Sequence, residues 1–281
     1  MIRAGVIGWP VAHSLSPQLH GYWLEKYGIT GRYDAIPIEP DKFEPSVRKL
    51  FDEGIAGFNV TLPFKSRIMP LLDDITPRAD AIGAVNTVVA MQGGGILGDN
   101  TDAYGYIQSL NHQQPDWHNR VKNVCILGGG GAAKAIAYAL LEENIPEISI
   151  YNRTLEKALN IIDHFKPLKT ESQLYAYRDL DLEDDLGKCD LLINTTPLGM
   201  TGQHPLIIDL SPCSDHTIVS DIIYAPRKTD LLLQAEKRGL KTVEGLPMLL
   251  YQAVPGFEYW FNKHPEVDSG LIEMMQKAAA Q

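Results

Sequence analysis

Residues 123–137 read Asn-Val-Cys-Ile-Leu-Gly-Gly-Gly-Gly-Ala-Ala-Lys-Ala-Ile-Ala, an apolar run that breaks into four glycines and resumes as an alanine-rich helical stretch. A strand that passes through glycine straight into a helix is the unit from which parallel sheets are wound. The run Gly128-Gly129-Gly130-Gly131-Ala132-Ala133 fits G-x-G-x-x-A, in which glycines permit a tight turn and a close approach of backbone to a pyrophosphate. The phosphate charge then rests on unpaired N–H groups at the helix N-terminus. Alone, such a run is a flexible turn; between a strand and a helix it predicts a dinucleotide site at Gly128, Gly129, Gly130, Gly131 and Ala132.

Further apolar strands follow at Ile148-Ser149-Ile150-Tyr151, Leu191-Leu192-Ile193-Asn194, Thr217-Ile218-Val219-Ser220-Asp221 and Lys241-Thr242-Val243. Five strands at this spacing predict a doubly wound parallel sheet. An NAD-binding unit places Asp or Glu at the end of its second strand, about 20 residues past the glycines, to hold the ribose 2′-hydroxyl. Here that strand ends in Tyr151-Asn152-Arg153-Thr154. No carboxylate stands there to repel a 2′-phosphate, and Arg153 offers a planar cation beside the Thr154 hydroxyl, so NADP is the expected cofactor. The competing reading is a solvated loop in which Asn152 caps the next helix. A later strand exits through Asn194-Thr195-Thr196-Pro197-Leu198-Gly199-Met200, where Thr195 and the backbone near Met200 are candidates to touch ribose or nicotinamide. Taken alone, that segment is equally well an ordinary strand exit.

The first hundred residues alternate strands (Ala4–Gly8, Tyr33–Ile38, Gly57–Thr61) with helices near 17–28 and 41–53. Ala84–Met91 and Gly93–Gly98 predict a hairpin through a glycine-rich turn, so this half mixes parallel strands with an antiparallel pair. The polar stretch 111–120 interrupts the periodicity and marks a boundary. At 281 residues, with about 150 per domain, two domains are expected. The fold class is therefore α/β: an N-terminal mixed-sheet domain and a C-terminal doubly wound parallel-sheet Rossmann domain. Met248–Phe261 has helical spacing but contains Pro255, which predicts a kink or two short helices. Phe257, Trp260 and Phe261 form one apolar face, and Cys125 reads as core.

With 35 acidic against 25 basic residues and no Lys/Arg block, nucleic acid is excluded as a partner. Any anion must be held by local cations, for which Lys65 and Arg153 are candidates. Three dispersed cysteines suggest neither disulfides nor zinc and fit a reducing cytoplasm. No segment resembles a signal peptide or a membrane span, and His13 and His20 lack partners at ligand spacing, so no metal site is expected.

Polar clusters close the early strands: His13-Ser14-Leu15-Ser16-Pro17, Asn59-Val60-Thr61-Leu62-Pro63-Phe64-Lys65 and Asp99-Asn100-Thr101-Asp102. Hydroxyls and amides with one cation and one carboxylate suit a polyhydroxylated carboxylic acid. Ser14 or Ser16 also fits a helix cap, and Asp102 a turn.

These clusters, with Gly83-Ala-Val-Asn86-Thr87, Asn100-Thr-Asp102-Ala-Tyr-Gly105, Asn152-Arg153-Thr154, Asn194-Thr-Thr-Pro-Leu-Gly199-Met200, Asp221-Ile-Ile-Tyr224-Ala-Pro226 and Gly245-Leu-Pro-Met-Leu-Leu-Tyr-Gln252-Ala, resemble in order the motif series of the shikimate/quinate dehydrogenase family. The resemblance spans nearly the whole chain. It implies NADPH-linked reduction of 3-dehydroshikimate to shikimate on the route to chorismate and aromatic amino acids. Ser14 and Ser16 would hold the substrate carboxylate, and Thr61, Asn86, Asp102 and Gln252 the ring hydroxyls, with Tyr224 near the substrate and Gly245 near the cofactor. Lys65 would give the proton and Asp102 anchor the same oxygen. Residues 247–281 would return to join 1–105 as the substrate domain, leaving 106–246 to bind NADP, in a monomer or homodimer. The sequence departs from the family pattern at Pro255, at Pro197-Leu198 and in its four consecutive glycines. An NAD-linked quinate/shikimate dehydrogenase, a methylenetetrahydrofolate dehydrogenase and a non-catalytic NADP-binding protein are the competing readings; the first would carry an acid where Asn152-Arg153 stand.

Overall fold

Strand β1 (Ile2–Gly8) lies inside the first sheet because Ala4, Val6 and Ile7 are small or β-branched and buried. In the computed structural model, which describes residues 1–280, β1 pairs in parallel with β2 (Gly31–Pro37) and β3 (Gly57–Val60). Helices α1 (Ser16–Lys26) and α2 (Phe43–Asp52) connect them. Beyond β3 come β4 (Asp74–Ile75), α3 (Pro77–Ile82), β5 (Thr87–Ala90) and β6 (Ile96–Asp99). β5 runs antiparallel to both β3 and β6, whereas β4 is parallel to β6, giving a mixed sheet of order β2-β1-β3-β5-β6-β4. The β5–β6 hairpin closes where Met91 N–H donates to the Gly95 carbonyl at 3.0 Å.

The second sheet follows α4 (Asp102–Gln113) and α5 (Trp117–Arg120). It contains β7 (Asn123–Leu127), β8 (Glu147–Tyr151), β9 (Gln173–Tyr177), β10 (Leu191–Asn194), β11 (Ile218–Asp221) and β12 (Lys241–Val243). Helices α6 (Gly131–Glu142), α7 (Leu155–Phe165), α8 (Leu182–Asp185) and α9 (Asp230–Lys237) intervene. Every pair is parallel and the order is β12-β11-β10-β7-β8-β9, which is doubly wound with its reversal between β7 and β10. The sheet has one strand more than the five expected. Edge strand β9 carries no apolar run, since Gln173 and Tyr175 face solvent.

The chain closes with α10 (Leu246–Phe261) and α11 (Ser269–Ala279). Of the kink or two short helices expected at Pro255, the two short helices are not found: α10 is one helix with Pro255 inside it. Proline forfeits one backbone bond there, but Ala253, Val254, Phe257, Trp260 and Phe261 are all buried and hold the helix on either side of it. Met1–Asp102 and Leu250–Ala278 form one compact unit, and Ala103–Leu249 builds the other.

In the first unit, His20 is fully buried with its ring stacked on Tyr33 at 3.9 Å, and Trp23, Phe257 and Trp260 surround it. Burial pushes the imidazole down to about 3, so the ring packs as a neutral aromatic. Trp260 Nε1 donates to the Val88 carbonyl at 3.0 Å. Gly57 lies under that bond, and any Cβ there would sit 2.1 Å from the Val88 oxygen and 2.2 Å from Trp260 Nε1, which excludes every other residue.

Asp99 has no exposed surface and accepts from Thr76 Oγ1 at 2.7 Å, Arg78 Nε at 2.6 Å, Arg78 Nη2, its neighbour's Asn100 N–H at 2.8 Å and Tyr259 Oη at 3.2 Å. Burial alone would raise this carboxyl, but the Arg78 and Thr76 bonds outweigh it and leave it below the ordinary carboxylate range. A depressed folded-state value adds stability that is complete above the unfolded value near 3.9 and fades as pH falls through the folded one. Asp99→Asn should therefore lower unfolding stability at pH 7 by about 3 kcal/mol. The deficit relative to wild type, read from urea unfolding, should shrink as pH drops below about 4.

Candidate active site

The carboxyl ends of β1 and β3, and the segment after β6, bring the first unit's polar clusters together. Thr61 is fixed by its N–H, which donates to the Ile7 carbonyl at 3.0 Å. Its methyl lies 2.4 Å from where a Cβ on Gly8 would stand, so glycine lets the two strand ends close up. Four residues on, the Lys65 carbonyl accepts from Val85 N–H at 2.8 Å, and Lys65 Nζ reaches Asp102 Oδ2 at 2.6 Å. Both side chains are partly exposed, 28% and 14%, which leaves the pair shielded yet open to a ligand.

Asn86 joins this pair to the rest of the cluster. Its Nδ2 donates to Asp102 Oδ1 at 2.8 Å and to Gln252 Oε1 at 3.4 Å. Its Oδ1 accepts from Thr101 N–H at 2.8 Å, a group that can only donate, so the amide orientation is fixed. Asn100 supports the loop by accepting from Asp102 N–H at 3.1 Å and donating to the Ala84 carbonyl at 3.0 Å. Asp102 is therefore the first residue of α4, not part of a turn. Gln252 arrives on the unbroken α10, so Pro255 does not prevent its reach.

Neither serine side chain caps α1, whose capping residue is Leu15 with no side-chain bond. Ser14 Oγ accepts from Ser16 N–H at 3.3 Å, which uses a lone pair and not the hydroxyl hydrogen. Ser16 is buried, at 7% exposure. Lys65, Asp102, Asn86 and Gln252 are thus joined in one run of hydrogen bonds, with Thr61 just past β3, Ser14 between β1 and α1, and Ser16 at the start of α1. Tyr224 belongs to the second unit, in the segment after β11, where burial raises its phenol above the ordinary value.

In the second unit, Gly128 has a φ of +117°, and a Cβ on it would stand 2.4 Å from Thr195 Oγ1. Parallel pairing aligns Leu127 with Asn194, and Thr195 Oγ1 donates to the Leu127 carbonyl at 2.6 Å. Gly129 backs onto Asn152 and Lys157, whereas Cβ atoms on Gly130 and Gly131 would meet nothing within 4 Å. Glycine is therefore sterically required at the first two positions, and at the next two the surface ahead of α6 is open. That open face at a helix N-terminus, beside the β7/β10 reversal, fits a pyrophosphate. Ala132 follows in the first turn of α6.

At the end of β8, Asn152 Nδ2 donates to the Thr154 carbonyl at 2.8 Å. The capping residue of α7 is Thr154, not Asn152, and it makes no side-chain capping bond. Arg153 and Thr154 both face solvent. Among the described residues no carboxylate occupies the end of β8, so nothing there repels a phosphate. Met200 is 40% exposed. Gly245 presses on the Ile222–Ile223 backbone, with a hypothetical Cβ 2.3 Å from the Ile222 oxygen, so its role visible in the fold is close packing.

Sequence reasoning missed Lys157, one helical turn after Arg153 on α7, whose Cβ lies 2.8 Å from the position of a Gly129 Cβ. Its place in the first turn of the helix that follows Arg153 was the available signal. The same reasoning named Asn59 and Thr101 only within their clusters and Thr87 only within a motif, gave none of them a role of its own, and left Tyr33 as a strand residue; the four are linked by hydrogen bonds behind Asn86. A buried amide in a fully buried four-residue strand, as Asn59 is, had to find such partners.

Residues 6–88 match the family model described as the shikimate dehydrogenase substrate binding domain, and residues 110–208 match shikimate / quinate 5-dehydrogenase. A shikimate dehydrogenase (NADP(+)) of Paramagnetospirillum magneticum is 46% identical over 269 residues, covering 95% of each chain. The crystal structure of shikimate 5-dehydrogenase from Listeria monocytogenes, in complex with shikimate and NAD, superposes with a TM-score of 0.89 at 32% identity, covering 98% of this chain and 96% of that one. The Thermus thermophilus enzyme, in complex with NADP(H) and shikimate, gives a TM-score of 0.84 at 31% identity with all of both chains covered.

Proposed function

Because the chain belongs to the shikimate dehydrogenase family, we propose that it catalyses the reversible NADPH-linked reduction of 3-dehydroshikimate to shikimate, with the first unit holding the substrate and the second the cofactor. The observation that carries this reading is the Lys65–Asp102 pair at 2.6 Å, tied through Asn86 to Gln252. The step lies on the route to chorismate and the aromatic amino acids.

Reduction of the ketone needs a hydride at carbon and a proton at oxygen. NADPH, when bound, supplies the hydride. Lys65, in its ammonium form, donates a hydrogen bond to the carbonyl oxygen and then breaks its own N–H bond as the new O–H forms, which offsets the negative charge developing on that oxygen. Asp102 holds the ammonium in place through Oδ2 while Oδ1 stays on Asn86. In the oxidative direction, neutral Lys65 takes the hydroxyl proton back. Ser14 and Ser16 hold the substrate carboxylate, and Thr61, Asn86 and Gln252 read the ring hydroxyls. Gly128 to Ala132 receive the pyrophosphate, and Arg153, Thr154 and Lys157 favour the 2′-phosphate of NADP. Asn152, Thr195, Met200 and Gly245 shape the same side. Among the described residues no helix is long and apolar enough to cross a membrane. Cys125, Cys189 and Cys213 are free, buried thiols, which supports a reducing cytoplasm.

Initial rates with shikimate or quinate, each with NADP or NAD, test the reading. Shikimate with NADP should exceed each other combination by at least about tenfold in kcat/KM. Dominance of quinate or NAD would overturn the specificity, and silence in all four would favour folate chemistry or a non-catalytic role.

A further inference from the structure

Behind the candidate site, the hydrogen-bond donors between Tyr33 and Asp102 all point one way. Asn59 Nδ2 donates to the Asn86 carbonyl at 3.2 Å, and a carbonyl can only accept, so Asn59 Oδ1 must face the Tyr33 hydroxyl and take its hydrogen at 2.6 Å. Asn59 Nδ2 also donates to Thr87 Oγ1 at 3.1 Å. The Thr87 hydrogen then goes to Asn86 Oδ1 at 3.0 Å, directly or by way of Thr101 Oγ1, itself 3.1 Å from the same oxygen. Asn86 Nδ2 completes the run on Asp102 Oδ1.

Tyr33, Asn59, Asn86, Thr87 and Thr101 are all buried, at 6% exposure or less. Water therefore has little access to replace a lost partner, and aligned buried bonds polarise one another. His20 stacks on the Tyr33 ring within 10° of parallel, yet among the described residues neither of its nitrogens has a hydrogen-bond partner. It fixes the ring by its face and leaves the hydroxyl to Asn59.

We propose that Tyr33, Asn59 and Thr87 form a one-way positioning relay that holds Asn86 and, through it, Asp102 at the reacting end of the substrate site. The proposal rests on the assignment of this cluster to shikimate. Tyr33 touches neither reacting atom; it acts by fixing the Asn59 amide, which fixes Thr87 and the Asn86 carbonyl. Losing any one link releases the same downstream group, so damage at two links should not accumulate.

A double-mutant cycle tests this. Tyr33→Phe keeps the ring on His20 and removes the donor; Thr87→Val removes the later link; Thr87→Ser restores it. Each of the first two should lower kcat/KM for shikimate about 10- to 30-fold and leave KM for NADP unchanged. Thr87→Ser should stay within about threefold of wild type, and the double variant within about threefold of the worse single variant. Should Thr87→Val melt near the assay temperature, Thr87→Ala replaces it in the cycle. Multiplicative losses, a rise in KM for NADP, or a Thr87→Ser variant as impaired as Thr87→Val would each overturn the relay. Inactivity of the wild-type protein toward shikimate would instead overturn the assignment of the reaction and, with it, the relay; additive losses in an active protein overturn the relay alone.

Discussion

Lys65→Ala should lower kcat in both directions by about 10³-fold, within the span assigned to a positioned acid–base group, while shikimate still binds within about tenfold of its wild-type affinity. The two effects separate because Lys65 is asked to act on the transition state, whereas ground-state binding is spread over several hydroxyl and amide groups. Asp102 keeps Asn86 as a partner after the substitution, so the cluster does not lose all its order. Steady-state rates and calorimetric titration with shikimate check the two halves. A kcat within tenfold of wild type would reject the assigned proton transfer, and lost binding at normal kcat would make Lys65 a ligand-holding residue only.

Arg153→Ala should reduce kcat/KM for NADP by roughly 30- to 100-fold, as expected for about 2–3 kcal/mol of charge-assisted bonding to a phosphate. With NAD, which has no 2′-phosphate, the change should stay within about threefold. Lys157 remains beside Gly129 in that variant and retains part of the preference, so the double substitution should go further. Equal losses with the two cofactors would mean that Arg153 supports the loop and does not read the phosphate.

The parallel sheet was legible in the sequence because its inner strands, such as Leu191–Asn194, are buried on both faces and have to be continuous apolar runs. β9 was not, because an edge strand with Gln173 and Tyr175 outward lacks such a run. Pro255 misled for a related reason: the cost of one missing bond is local and readable, while the burial of Phe257 and Trp260 that outweighs it depends on residues far away in the chain. The candidate site shows the same division. Lys65 and Asp102 are 37 residues apart, and only the resemblance joined them before the structure placed them at 2.6 Å. The glycine turn announced itself through chemistry and position together. Tyr33 did not, because its partner Asn59 lies 26 residues away, and Thr87 did not, because its bond to the neighbouring Asn86 shows its task only once Asn59, 28 residues away, is placed behind it.

The first unit is assembled from two stretches of chain, Met1–Asp102 and Leu250–Ala278, and this sets an order of events during translation. The residues that start the unit leave the ribosome first but cannot finish its core, because Phe257 and Trp260, which pack around His20 and Trp23, are still unmade. At about 5–20 residues per second, synthesis of the intervening segment delays them by roughly 7–30 s. The main stretch of the second unit, Ala103 to Leu249, is made in that interval. The half that is begun first is thus the half completed last, and until then the rings of His20, Trp23 and Tyr33 lack the Phe257 and Trp260 cover they have in the finished unit.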